Sequence, residues 1–160
     1  MVNVLFVCLG NICRSPLAEG IFKKLVRNAG LDSFIFSDSA GTSRWHIDEP
    51  PDLRSIQIAE KNGVQLDHLG RQVTTEDLEK FDYILAMDNE NYEEIVRLKD
   101  DGVFQKARIR LMRDYDKQQT GADIPDPYYG GPDGFQIVYD MLEESLSNFL
   151  GSIVKEHKLK

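Results

Sequence analysis

The run Val4-Leu5-Phe6-Val7 leads into Cys8 and then at once into Leu9-Gly10-Asn11-Ile12-Cys13-Arg14-Ser15-Pro16. An apolar stretch without polar alternation reads as a strand buried on both faces, as in a parallel sheet covered by helices. Ser15 followed by Pro16 reads as a helix start, with the serine as N-cap and the proline in the first helical position. A strand thus hands a thiol to a loop that opens a helix. Five residues separate Cys8 from Arg14, so the loop can curl with thiol and guanidinium on one concave side. Such a loop can hold a phosphate and attack its phosphorus.

Strand and helix signals alternate along the rest of the chain. Strands are expected over Val2–Val7, Phe34–Ser39, Tyr83–Met87 and Ala107–Leu111. Helices are expected over Pro16–Ala29 with Gly30 as stop, Asp52–Asn62 ended by Gly63, Thr75–Lys80, and from the Asp88 cap to about Leu98. A last helix starts near Pro132 or Asp133, with Phe135, Val138, Leu142, Leu146, Phe149 and Ile153 as its apolar stripe. This alternation predicts an α/β fold: a single domain over residues 1–160 with an open parallel sheet and helices on both faces. Ligands of such sheets bind beyond the carboxyl ends of the strands, and Cys8 lies at such an end. The stretches 41–51 and 112–132 are loops, the second long for a compact domain.

A net charge of −8 argues against a nucleic-acid surface, so an anion site must be local. There is no basic leader before the first strand and no apolar run of membrane-spanning length. The expectation is a cytoplasmic protein with no membrane partner. The two cysteines fit no zinc spacing, and His46, His68 and His157 are scattered.

Within the loop, the amides from Leu9 to Ser15 can form a nest for a dianion at the positive end of the helix dipole. Gly10 permits unusual backbone angles there. Arg14 can grip two phosphate oxygens, more tightly as charge redistributes. The same field favours a thiolate at Cys8, and Ser15 can hydrogen-bond its sulfur. The plain alternative is a buried strand-end cysteine. A departing alkoxide or phenolate needs a proton donor. Asp126, in Ile124-Pro125-Asp126-Pro127-Tyr128-Tyr129, is the candidate, stiffened by its prolines and protonated if it is buried near a pocket mouth. An ordinary Asp-Pro turn is the competing reading.

Val7 to Pro16 resembles the signature of the low-molecular-weight protein tyrosine phosphatases, and Asp126-Pro127-Tyr128-Tyr129 resembles their acid loop. Length, element order and the segment Asp38-Ser39-Ala40-Gly41-Thr42 fit the same family. The resemblance implies a four-stranded sheet in order 2-1-3-4 with a phosphate-binding loop after the first strand. It implies Cys8 as nucleophile, Arg14 as phosphate ligand and Asp126 as acid, then base. Ser15 resembles the family's thiolate-stabilising serine, and Asn11 the asparagine that shapes the loop. Ser39 and His68 resemble its hydrogen-bond partners, and Asp38 and Arg71 match positions around them. Without the resemblance, His68 reads equally as a packing residue, and Asp38 with Arg71 as a surface ion pair. Leu9, Ile12, Trp45 and Tyr128 resemble the clamp for the substrate's ring, with Tyr129 at the rim. From the residues alone Trp45 would be a loop-packing side chain. A related branch acting on phosphoarginine typically has threonine where Ile12 stands, so Ile12 favours phosphotyrosine. Pro51-Asp52-Leu53-Arg54 departs from the more usual Pro-Asp-Pro-Arg, which leaves only the entry of one helix in question.

Three other readings fit less well. A thiol-type arsenate reductase shares the loop but needs further cysteines to relay a disulfide, and none follows Cys13. A phosphotyrosine-binding module without chemistry would lack Cys8 or Asp126. A nucleotide switch would carry a Gly-x-x-x-x-Gly-Lys-Ser/Thr motif. The expected protein is a metal-independent, cofactor-free hydrolase of phosphotyrosine-containing proteins. It would be inhibited by phosphate and vanadate, monomeric, and open to reversible oxidation through a Cys8–Cys13 disulfide.

Overall fold

A computed structural model describes residues 1–99, 104–128, 130–131 and 133–159. Four strands form one sheet in the order β2-β1-β3-β4: β1 (Val2–Cys8), β2 (Ile35–Gly41), β3 (Tyr83–Ala86) and β4 (Arg108–Leu111). All pairings are parallel, with Val7 opposite Ala40 on one side and Ala86 on the other. The expected order holds. β1 is central because Val4, Leu5, Phe6 and Val7 are all fully buried. Each such side chain contributes about 1.5–3 kcal/mol when removed from water. Alternate residues serve two cores. Val4 and Phe6 pack with α1 (Arg14–Asn28) and α5 (Gly134–Glu156), whereas Leu5 and Val7 pack with Leu78 and Ile95. Leu78 belongs to α3 (Thr75–Lys80) and Ile95 to α4 (Asn89–Arg97).

The chain leaves β1 to one side for β2 and returns to the other for β3. The carboxyl end of β1 is therefore the point where the winding reverses, and a crevice opens there. The loop after Cys8 occupies it. Gly41, at the end of β2, lies beneath that loop. A Cβ on Gly41 would meet the Leu9 carbonyl oxygen at 2.9 Å and the Asn11 amide at 3.2 Å.

Several boundaries differ from the sequence expectation. α1 begins at Arg14 with Cys13 in the capping position and no side-chain cap. The Ser15 hydroxyl does not cap, because Cys8, Asn11 and Ala40 occupy it. β2 runs from Ile35 to Gly41 rather than from Phe34 to Ser39. α2 (Leu53–Lys61) is capped by Asp52, which accepts the Arg54 N–H at 2.9 Å. The Leu53 departure therefore leaves a normal helix entry. The long loop holds a 3-10 turn, Met112–Tyr115, that the sequence did not announce. α5 starts at Gly134 after Asp133, close to expectation, while Pro132 lies outside the described residues. No helix of the described residues is long and apolar enough to cross a membrane.

Candidate active site

Three separate segments meet at the crevice. The first is the Cys8–Arg14 loop. The Cys8 sulfur is buried, lies 3.0 Å from the Ser15 hydroxyl and accepts the Asn11 N–H at 3.3 Å. Among the described residues, the amides of Leu9, Gly10, Ile12, Cys13, Arg14 and Ser15 donate no hydrogen bond. These donors are what a dianion needs. The unusual backbone angle falls on Asn11, with φ of 57°, and not on Gly10. Asparagine tolerates this left-handed region better than most residues. Gly10 instead makes room for the His46 ring, whose Cδ2 would lie 3.2 Å from an added Cβ.

Asn11 is held by its side chain. Its Nδ2 donates to Ser15 Oγ at 2.8 Å and to Ser39 Oγ at 3.1 Å. Its Oδ1 accepts the Arg71 backbone N–H at 3.0 Å, which fixes the orientation of the amide, because a backbone N–H can only donate. The His68 Nε2, 2.7 Å from the same oxygen, is then a donor too. The other His68 nitrogen faces Glu19 at 3.2 Å and Asp38 at 3.6 Å, pairs that are ionic when the ring carries both protons. Ser39 donates to Glu19 at 2.7 Å. Arg71 bridges Asp38 and Asp77. Ser39, His68, Asp38 and Arg71 thus form one polar support under the loop. Ser15 accepts from Asn11, and its own hydrogen has two acceptors in reach, the Cys8 sulfur at 3.0 Å and the Ala40 carbonyl at 3.4 Å.

The second segment is the β3 carboxyl end. Arg14 is almost fully buried, and its Nη1 donates to Asp88 Oδ2 at 2.6 Å and to the Ile124 carbonyl at 3.0 Å. Burial opposes the guanidinium charge, but the Cys8 sulfur and the hydrogen-bonded Asp88 outweigh it and raise the Arg14 pKa. With Nη1 engaged, the Nε and Nη2 edge is left to grip two phosphate oxygens.

The third segment carries Asp126. Its Oδ2 lies 3.6 Å from Arg14 Nη2, and its Oδ1 accepts the Tyr128 N–H at 3.0 Å. The side chain is 37% exposed, not buried as expected, because its loop lies at the crevice mouth facing solvent. Cys8, Leu9, Gly10, Ile12, Cys13, Arg14, Trp45, His46, Asp126 and Tyr128 line a cavity of about 120 Å³. Trp45 is 70% exposed and forms its outer wall, so it is not a packing residue. Tyr129 lies outside the described residues. Cys13 faces the cavity as well, and its thiol is pushed up to about 12, first by burial and then by the charges of Asp52 and Cys8. Behind it, Ser55 Oγ donates to the Cys13 carbonyl at 3.2 Å, and the Asp52 N–H to that of Ile12 at 2.7 Å.

Four participants were not singled out from sequence. Asp88 was read only as a helix cap, although its other oxygen anchors Arg14. Glu19 sits in the buried stretch Leu17–Phe22 of α1, and a carboxylate among apolar neighbours was the available signal. His46 in the wall carried no distinguishing pattern. Arg54 donates to the Tyr128 carbonyl at 3.1 Å and lies over the Tyr128 ring.

Residues 3–159 match the family model described as low molecular weight phosphotyrosine protein phosphatase. A Schizosaccharomyces pombe protein of that description is 45% identical over 153 residues, spanning 95% of this chain and 97% of its own. A protein tyrosine phosphatase structure from Entamoeba histolytica superposes with a TM-score of 0.89 at 40% identity, covering 99% of this chain and 100% of that one. A Drosophila structure described as an arginine phosphatase gives 0.88 at 37% identity, covering 93% and 96%.

Proposed function

The chain belongs to the low molecular weight phosphotyrosine protein phosphatase family, and we propose that it hydrolyses phosphotyrosine in proteins by two displacements at Cys8. In the first, the Cys8 sulfur attacks phosphorus in line with the leaving phenolate. The P–O bond breaks, its electron pair goes to the phenolate oxygen, and Asp126 supplies the proton. A phosphocysteine results, with its oxygens held by Arg14 and the loop amides. In the second, Asp126 takes a proton from water, the oxygen attacks phosphorus, and the P–S bond breaks to return the thiolate. Ser15 donates to the sulfur each time it carries charge. Charge on the moving phosphoryl group is met by arginine and amides, so the reaction needs no metal.

One observation carries this reading: Cys8 and Arg14, from the loop after β1, and Asp126, from a loop more than a hundred residues later, converge on a single cavity. Leu9, Ile12, Trp45 and Tyr128 give that cavity apolar walls suited to a flat ring. The same fold serves an arginine phosphatase, so the walls, not the sheet, set the substrate. Phosphate and vanadate would occupy the loop as inhibitors, and Cys13 is the partner for reversible oxidation of Cys8. The protein is taken to act as a cytoplasmic monomer.

The test compares turnover of phosphotyrosine, phosphoserine and phosphoarginine peptides in EDTA, for wild type and Cys8→Ser. Phosphotyrosine should be hydrolysed fastest, and Cys8→Ser should bind phosphate without turning over. Preference for phosphoarginine, or hydrolysis by Cys8→Ser at a rate near wild type, would overturn the reading.

A further inference from the structure

Far along the chain from the nucleophile, the loop after β4 contains a buried ion pair that the chemistry does not use. Arg113 and Asp116 are 6% and 4% exposed. Arg113 donates from Nε and Nη2 to Asp116 Oδ2, at 3.1 and 2.9 Å. A buried pair of this kind is a poor way to add stability, since apolar side chains of similar volume often do as well. Its distinctive property is directional hydrogen bonding, and both partners spend it on the main chain. Asp116 Oδ1 accepts the N–H groups of Gln118 and Gln119 at 2.8 and 2.9 Å. Arg113 Nη1 donates to the Asp123 carbonyl at 3.1 Å. The loop is thereby wound around one fork.

Asp123 is where this winding reaches the site. Its carboxylate accepts the Asn89 backbone and side-chain N–H groups at 2.9 and 2.8 Å. The next residue, Ile124, donates its N–H to the Met87 carbonyl at 2.7 Å and accepts from Arg14 through its own carbonyl. Only Pro125 then separates Ile124 from Asp126, and a proline transmits position because its φ is locked. Asp126 itself is exposed, and its carboxylate meets Arg14 and the Tyr128 N–H. Its place 3.6 Å from Arg14 is set on one side by this segment and on the other by Tyr128, whose carbonyl accepts from Arg54.

We propose that Arg113 is a positioning residue for the proton donor: by fixing the Asp123 carbonyl it sets Asp126 at the height over Arg14 where a leaving oxygen must be protonated. This rests on Asp126 being the general acid. A misplacement of about 1 Å can cost about 10²-fold in rate, so a loosened arm retains binding and loses protonation.

The experiment measures kcat/KM, which reports the first phosphoryl transfer, with phenyl phosphate and 4-nitrophenyl phosphate. Phenolate is the poorer leaving group and needs the proton more. Arg113→Met should lower kcat/KM for phenyl phosphate about 10-fold or more and for 4-nitrophenyl phosphate less than about 3-fold, consistent with partial loss of an acid worth about 10²–10⁴-fold. Inhibition by inorganic phosphate should not change. In Arg113→Met/Asp126→Asn the rate should equal that of Asp126→Asn within about twofold, because a residue acting through Asp126 has nothing left to position. Arg113→Lys keeps the charge without the fork and should recover part of the loss. Should Arg113→Met fail to fold, Asp123→Ala removes the exposed tether at the other end of the arm and should show the same substrate pattern. If Asp126→Asn discriminates between the substrates while the Arg113 and Asp123 variants slow both equally, the positioning role is wrong. A double variant slower than Asp126→Asn refutes it as well. If Asp126→Asn itself slows both equally, the general acid is wrong and the positioning role of Arg113 falls with it.

Discussion

Asn11 is where the loop geometry can be tested most sharply, because backbone and side chain make separable contributions. Its φ of 57° is left-handed, and its amide makes four hydrogen bonds, to Ser15, Ser39, His68 and Arg71. Net values of about 0.5–1.5 kcal/mol each put the four near 4 kcal/mol. Asn11→Ala loses them all and adds left-handed strain of about 1–2 kcal/mol. Asn11→Gly loses the same bonds without the strain, but its unfolded chain gains about 0.4–1 kcal/mol of conformational entropy. The difference leaves glycine ahead by about 0.5–1 kcal/mol, the reverse of the order in an ordinary helix or strand position. Urea denaturation of wild type and both variants, compared at constant slope, reads this directly. Both variants should lose several kcal/mol and bind phosphate more weakly, with the glycine variant unfolding at the higher urea midpoint. An alanine variant at least as stable as the glycine one would refute the backbone part. A loss under about 1 kcal/mol in both would refute the hydrogen-bond part.

Two further outcomes follow from the site. Asp88→Asn keeps an oxygen to cap α4 but removes the charge that anchors Arg14, so kcat/KM should fall at least about tenfold with phenyl and 4-nitrophenyl phosphate alike. A fall confined to the poor leaving group would mean that Asp88 serves the acid instead. Peroxide should convert Cys8 to a sulfenic acid; the Cys13 thiol gives up its proton, its thiolate attacks the Cys8 sulfur, and the hydroxide that leaves takes up a proton to become water, leaving a disulfide. Because burial and Asp52 hold the Cys13 thiol up at about 12, closure followed by mass spectrometry should quicken about tenfold per pH unit between pH 7 and 9. A rate independent of pH would show that another group removes the proton.

The fold was legible wherever one residue pattern had one explanation. Val4 to Val7 are apolar without alternation, and so short a run, ended by a Gly-Asn loop, fits a strand buried on both faces. Gly30 and Gly63 both take positive φ, 71° and 74°, just beyond α1 and α2, as helix stops do. The start of α1 was misread because Ser15-Pro16 carries a local meaning, cap and first turn, that a tertiary partner overrode. Its hydroxyl lies beside the Cys8 sulfur and makes no cap bond to α1. The β2 offset has a similar origin. Phe34 and Phe36 look like strand core, yet both are about half exposed, and the buried registers fall on Ile35, Ser37 and Ser39.

The site was legible in its contiguous parts and hidden where one side chain serves two distant groups. The motif from Cys8 to Ser15 puts a thiol, a run of backbone amides and a guanidinium within a few residues, so proximity in sequence stands for proximity in space. Asp88 has no such neighbour: Arg14 is far away in the chain, and the Asp88 position is fully accounted for by a helix cap. Yet a carboxylate has two oxygens, and capping uses only one. Oδ1 accepts the Asn91 N–H at 2.8 Å, leaving Oδ2 for Arg14 at 2.6 Å. Asp123 divides its work differently: one carboxylate oxygen takes both Asn89 N–H groups, and its backbone carbonyl accepts from Arg113. Capping acids at the carboxyl end of a parallel sheet therefore carry unspent acceptor capacity that faces the crevice. A cap at that end is a candidate anchor for any cation the crevice buries, whereas a cap at the opposite end is not. By that rule Asp88, following β3, could have been paired with Arg14 before any coordinates. The Asp52 cap, separated from β2 by the stretch 42–51, spends both its oxygens on Arg54 instead.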